Sequence, residues 1–128
     1  MSGVSFHLEN TTKAKIPSLA FAEIKNTILG EKYELSLIIV SKKEIQKLNK
    51  KYRDINEPTD ILSFPLSENF GEIYINIEMT KIEARKFNRK YENFFAFLLI
   101  HGLIHLKGFD HGSTMESMEI HFRKKFGI

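Results

Sequence analysis

The chain contains no cysteine. That excludes a disulfide scaffold and any thiolate metal site, and it fits a reducing compartment. Long hydrophobic runs are also missing. The longest apolar stretch, Phe94 to Ile100, falls far short of the roughly 20 residues that a membrane-spanning helix needs. The opening residues MSGVSFHLEN lack the basic start and apolar centre of a secretory signal. No linker, internal repeat or low-complexity tract interrupts the pattern. These absences lead to the expectation of a soluble, cytoplasmic protein without a membrane partner, built as one domain over residues 1–128.

The residues that are present support such a domain. A chain of 128 residues, 42% of them hydrophobic, is long enough to bury a core. The formal charge is +3, and its distribution says more than its total. Lys42, Lys43, Lys47, Lys50, Lys51 and Arg53 crowd one segment. Lys81, Arg85, Lys86, Arg89 and Lys90 crowd a second, and Arg123, Lys124 and Lys125 a third. Each cluster alone reads as a solvated helix face. Together they permit a polyanionic partner.

The local patterns predict an α+β fold, a small four-stranded sheet covered mainly by helices. Val4 to Leu8 alternates as a short strand. Pro17 and Ser18 open a helix that ends at Gly30, with Leu19, Ala22, Ile24 and Ile28 as its apolar faces. Leu35 to Val40 is a β-branched strand. Ser41, with Glu44 three residues later, caps a helix that runs to about Tyr52. After the turn-rich Asp54 to Asp60 comes a strand from Ile61 to Phe64, stopped by Pro65. Ser67 to Gly71 turns the chain into a strand from Glu72 to Ile77. Helices are then expected over Glu78–Asn88, Tyr91–Lys107 and Ser113–Phe126, the second terminated by Gly108.

Three of the five histidines fall in HGLIHLKGFDH. His101 and His105 are four residues apart on the expected helix. Four residues advance about 40° around the axis and about 6 Å along it, so both imidazoles leave one face. Gly108 turns the chain, and His111 can then come back toward the first two. The pattern H-x3-H-x2-G-x2-H has the ligand spacing of the metzincin zinc helix. His101, His105 and His111 are therefore expected to hold one divalent ion, with zinc the best fit. Three imidazoles leave a fourth position open for water or substrate, as in catalytic zinc sites. Neutral ligands also leave the ion's full charge in place to attract anions. A metzincin has Glu directly after the first histidine as general base, whereas this chain has Gly102. That disfavours peptide hydrolysis, and it gives room for a large ligand or a close helix neighbour. Asp110 stands next to His111, either as an orienting group or proton acceptor or as a turn residue. His7 and His121 lie outside the pattern.

With these residues in view, the chain resembles the YbeY family of bacterial RNA-processing factors. HGLIHLKGFDH resembles that family's histidine signature, including the glycine after the first histidine and the aspartate before the last. LNKKYRDINEPTDILSFP, Leu48 to Pro65, resembles its second signature. GEIYIN, Gly71 to Asn76, resembles the third, with Glu72 where the family usually has Asp and Asn76 where Cys is common. The resemblance implies a zinc-dependent endoribonuclease specific for single-stranded RNA, with one zinc per chain on the three histidines. It implies action on an rRNA precursor at the 3′ end of 16S rRNA, a role in ribosome quality control, and the ribosome or its small subunit as partner, with no DNA. The family's functionally important arginine falls on Arg53.

The chemistry of the residues agrees with that carry-over. Arg53 is a planar, permanently charged donor suited to a phosphate, and it ends a lysine-rich helix able to track an RNA backbone. Its competing role is a surface salt bridge with Asp54, Glu57 or Asp60. Tyr52 is a candidate for stacking on bases, while Phe94, Phe95 and Phe97 are expected to pack in the core. Thr59 and Asp60 belong to the signature without an assigned catalytic role. Two other readings remain open: a non-catalytic ribosome-assembly factor with a structural metal, and a metal-dependent hydrolase of another substrate.

Overall fold

In the computed structural model, which describes residues 5–109 and 112–128, a mixed four-stranded sheet has the order β1-β2-β4-β3. Strand β1 (Phe6–Asn10) pairs parallel with β2 (Glu34–Ile39), and β2 pairs parallel with β4 (Phe70–Ile75). Strand β3 (Ile61–Ser67) returns antiparallel along β4 and forms an edge of the sheet. Parallel neighbours need crossovers, which α1 (Phe21–Leu29) supplies between β1 and β2 and α2 (Lys42–Arg53) between β2 and the β3–β4 hairpin.

The period-two pattern of the strands divides the two faces. Leu35, Leu37 and Ile39 of β2 lie beside Gly71, Ile73 and Ile75 of β4, and all five of the large side chains are fully buried. Against them packs α4 (Tyr91–Leu106), whose Phe95, Leu99, Ile100, Leu103 and Ile104 join the same core. Each such aliphatic side chain removed from water contributes about 1.5–3 kcal/mol. A helix apolar nearly all round belongs inside, and α4 is flanked by α1, by α3 (Ile77–Lys86) and by α5 (Ser113–Phe126). Ile45 and Leu48 of α2 cover the opposite face of the sheet with Val40, Leu62, Phe64 and Tyr74.

The ends of the helices follow local chemistry. The Ser41 hydroxyl accepts from the Glu44 N–H at 3.1 Å, and Asp54, with φ +57°, ends α2. Asn76 caps α3 by accepting from the Met79 N–H at 2.8 Å while its amide donates to the Val40 carbonyl at 2.9 Å. Gly108, with φ +108°, ends the turn after α4. No helix among the described residues is long and apolar enough to cross a membrane.

Several sequence expectations need correction. Pro65 does not stop its strand: β3 continues to Ser67, with a register irregularity between Pro65 and Ser67. An edge strand tolerates a residue without an N–H donor. Helix α1 starts at Phe21 rather than at Pro17 and Ser18, because Ile16 and Leu19 pack against the core in a segment before the helix. Ala22 is exposed, and the buried face of α1 is Ile24, Lys25 and Ile28.

Lys25 is fully buried, and its ammonium donates to Ser5 Oγ, the Gly30 carbonyl and the Tyr33 carbonyl at 2.9, 3.0 and 2.7 Å. It ties the end of α1 to the starts of β1 and β2. Replacement of Lys25 by Met keeps the volume and leaves those acceptors without their donor. The expected loss is about 1–3 kcal/mol of stability, read as a lower urea midpoint at unchanged m-value.

Candidate functional site

The polar exceptions to the apolar character of α4 define the site. His101 and His105 are one turn apart and both half-buried. Their Nε2 atoms face each other at 3.1 Å, with the rings nearly perpendicular at 82°. The other nitrogen of each ring is engaged. His101 Nδ1 meets Glu119 Oε1 of α5 at 2.5 Å, and His105 Nδ1 meets the Phe109 carbonyl oxygen at 2.9 Å. A carbonyl or a carboxylate only accepts, so both Nδ1 atoms carry the proton. In neutral rings that leaves a lone pair on each Nε2, and the two lone pairs converge. Such an arrangement suits a shared cation, with the carboxylate and the carbonyl holding tautomer and ring orientation. The donor set is imidazole, which fits zinc. His111 and Asp110, the third expected ligand and its neighbour, lie outside the described residues. His7 and His121 are exposed and stand apart from the site.

The histidines open onto a cleft of about 550 Å³. Strand β3 from Ile61 to Pro65 lines it together with His101 and His105, and Arg53, Thr59 and Asp60 complete the lining. Arg53 is the last residue of α2 and is exposed. The ion pairs among the described residues are Lys86–Glu83 and His101–Glu119. The alternative of an Arg53 salt bridge to Asp54, Glu57 or Asp60 is therefore not the arrangement found. Burial pushes the Asp60 carboxyl above the usual carboxylate range, opposed by the Ile61 N–H and reinforced by the charge of Glu83. A larger groove of about 630 Å³ is lined by residues of α2 and the sheet but by none of the candidate site residues.

Tyr52 is 56% exposed and rests on Phe64 at 5.0 Å between ring centroids, with Phe64 on Tyr74 beyond it. Phe94 and Phe95 are buried in the core as expected, while Phe97 is only half-buried. Sequence reasoning missed Glu119. Its signal was faint: an acidic residue on the last helix, linked to His101 only by the packing of α5 on α4. It also left the role of Gly102 open. A Cβ at Gly102 would come within 2.8 Å of Ser63 Oγ, 3.0 Å of Ile61 Cδ1 and 3.1 Å of Ile73 Cδ1. The glycine serves the close approach of α4 to β3 and β4, rather than a ligand or a neighbouring helix.

A mixed sheet with a buried helix that presents paired histidines to a cleft defines a small α+β class of protein. The comparisons narrow that class. The family model described as endoribonuclease YbeY matches residues 5–126. The endoribonuclease YbeY of Aliarcobacter butzleri is 41% identical over 110 residues, which cover 81% of this chain and 77% of the relative. That of Colwellia psychrerythraea is 40% identical over 121 residues, covering 85% and 77%. The solution structure of a Thermotoga maritima protein, 28% identical, superposes with a TM-score of 0.67 over 94% of this chain and 88% of that one. This chain belongs to the endoribonuclease YbeY family.

The close approach at Gly102 is testable. In an exposed helix interior, Gly→Ala stabilises by roughly 0.8–1 kcal/mol. Gly102→Ala is expected instead to give a net loss of about 1 kcal/mol, since overpacking costs about 1–3 kcal/mol. Chemical denaturation of the two proteins measures the sign.

Proposed function

We propose that the chain is a zinc-dependent endoribonuclease that cuts unpaired RNA during ribosomal RNA maturation, at the 3′ end of 16S rRNA and in ribosome quality control. The observation that carries this reading is the convergence of His101 and His105 Nε2 at 3.1 Å in a cleft shared with Arg53. The relatives, endoribonucleases of the same family, support the reaction class. The proposed setting is the cytoplasm, with the small ribosomal subunit or its precursor as partner.

His101, His105 and His111 would hold one zinc ion. When bound, zinc supplies a Lewis acid for a phosphoryl oxygen. The rest falls to this chain's own side chains. Arg53 binds the scissile phosphate and stabilises charge that develops on its oxygens. Glu119 and the Phe109 carbonyl keep both imidazoles in the tautomer that presents Nε2. Asp60, whose carboxyl holds its proton more tightly than usual, is placed in the cleft to exchange a proton with the substrate or the attacking group. Asp110 is the second candidate for that task. Tyr52 offers an exposed ring to a base at the end of the lysine-rich helix.

Cleavage of a labelled single-stranded RNA by metal-stripped and zinc-reloaded protein tests the reading. Stripped protein is expected to be idle and reloaded protein active. His105→Ala should abolish cleavage, and Arg53→Ala should lower the rate by about 10²–10³. Cleavage that persists in both folded variants would belong to a contaminating nuclease and would sink the assignment.

Glu119 has its own readout, zinc affinity measured against a competing chelator. Loss of an outer partner typically weakens metal binding about 10–100-fold. Glu119→Ala is expected in that range, and Glu119→Gln, which keeps an accepting oxygen, should recover most of it.

A further inference from the structure

Phe97, His101 and His105 are spaced four residues apart and form one stripe along α4. The Phe97 and His101 ring centroids are 6.2 Å apart, and those of His101 and His105 are 4.7 Å apart. The stripe thus leads out of the histidine cleft toward the start of α4. There it enters a second hollow of about 320 Å³, lined by Phe87, Phe94, Phe97 and Ile120 and by two arginines, Arg89 and Arg123. Glu119, the carboxylate that holds His101, lines it too, as does the exposed Glu116.

The arginines are arranged unusually for a surface left to water. Their guanidinium carbons lie 5.1 and 5.3 Å from the centroid of the same Phe97 ring. Neither is in an ion pair among the described residues. Arg89 donates to Asn93 Oδ1 at 2.6 Å, while Arg123 Nε is buried with no hydrogen-bond partner among the described residues. Burial, and then the charge of Arg123, lowers the affinity of Arg89 for its proton. Two like charges held together lower their free energy when an anion joins them. Beside them Phe87 is 64% exposed and stacks on Phe94 at 5.7 Å and 17°. An exposed flat ring next to paired guanidinium groups matches the two halves of a nucleotide, base and phosphate.

We propose that this hollow is a second RNA subsite, which holds one nucleotide of a strand that continues from the histidine cleft along α4. The phosphate lies on Arg89 and Arg123, and the base stacks on Phe87. The proposal rests on the endoribonuclease reading, and it adds a place where the strand is gripped away from the cut.

Fluorescence anisotropy with single-stranded RNA of increasing length, bound to the full chain, tests it. Wild-type protein should gain affinity in a step once the RNA is long enough to reach the hollow. Phe87→Ala, a change at an exposed ring, should remove that step, weakening the longer RNAs roughly five- to hundredfold. Arg89→Gln, which keeps a donor for Asn93, should lower the slope of log affinity against log salt by about 0.7, the share of one phosphate on a single strand. A merely structural role would leave that slope unchanged. Equal affinity and equal salt slope in wild type and both variants would overturn the subsite and leave the nuclease reading standing. If the two substitutions weaken an acidic peptide and not RNA, the hollow docks a protein and the proposal falls. Wild-type protein that neither binds nor cuts RNA of any length would remove both readings.

Discussion

Helix α4 is buried along most of its length, and everything polar about the site is arranged around that fact. Its Phe95, Leu99, Ile100 and Leu103 lie against Leu37, Ile73 and Ile75 of the sheet. A helix in that position can carry polar side chains only where they leave the core or find partners. His101 and His105 do both. They project from the stripe that reaches the cleft, and each gives one nitrogen to a fixed acceptor, Glu119 or the Phe109 carbonyl. The apolar packing sets the axis of the helix, and the two hydrogen bonds set the rotation of the rings upon it. The 3.1 Å approach of the two Nε2 atoms is the product of both.

The same geometry explains why α5 belongs to the site although none of its described residues lines the cleft. Glu119 reaches His101 from the far side of the ring, and its helix is held by Met115 in the main core. A shift of α5 would therefore reach the cleft as a rotation of an imidazole. The aromatic and cationic residues on that side, Phe97 with Arg89 and Arg123, surround the same contact. Binding of an anion there would act on the field felt by Glu119, so a grip on the strand outside the cleft and the orientation of His101 share one set of residues.

Much of this was legible in the sequence because the signals were local. The i, i+4 histidines, the Ser41 cap, the β-branched strand before it and the bounds of the last helix each depend on neighbours within a turn. What was not legible depends on contacts between distant segments. Nothing within a turn of Lys25 marks it as buried, yet its ammonium is completed by Ser5, Gly30 and Tyr33. Pro65 reads as a stop, yet an edge strand has no need of its donor. Glu119 is one of several acids on α5, and only the packing of two helices singles it out. Arg53 and Asp60 are near each other in sequence, but their place across β3 from the histidines follows from the strand order β1-β2-β4-β3.

Gly102 connects the packing to the chemistry most directly. By spacing alone, the residue after the first histidine is where a peptidase of similar pattern keeps its general base. Here that position faces the sheet, and any side chain would meet Ser63, Ile61 and Ile73 within 3.1 Å at its first carbon. A glutamate could be restored there only if those side chains gave way. The absence of that base thus goes together with the close packing of α4 on the sheet. On the proposed reading, proton transfer falls to another group, with Asp60 and Asp110 the two candidates. Asp60 is the described carboxyl that lines that cleft, and its burial already moves its proton affinity upward, in the direction a proton carrier near neutral pH requires. The arginine at the end of α2 favours a substrate that brings its own negative charge. A phosphodiester carries that charge, and a peptide bond does not.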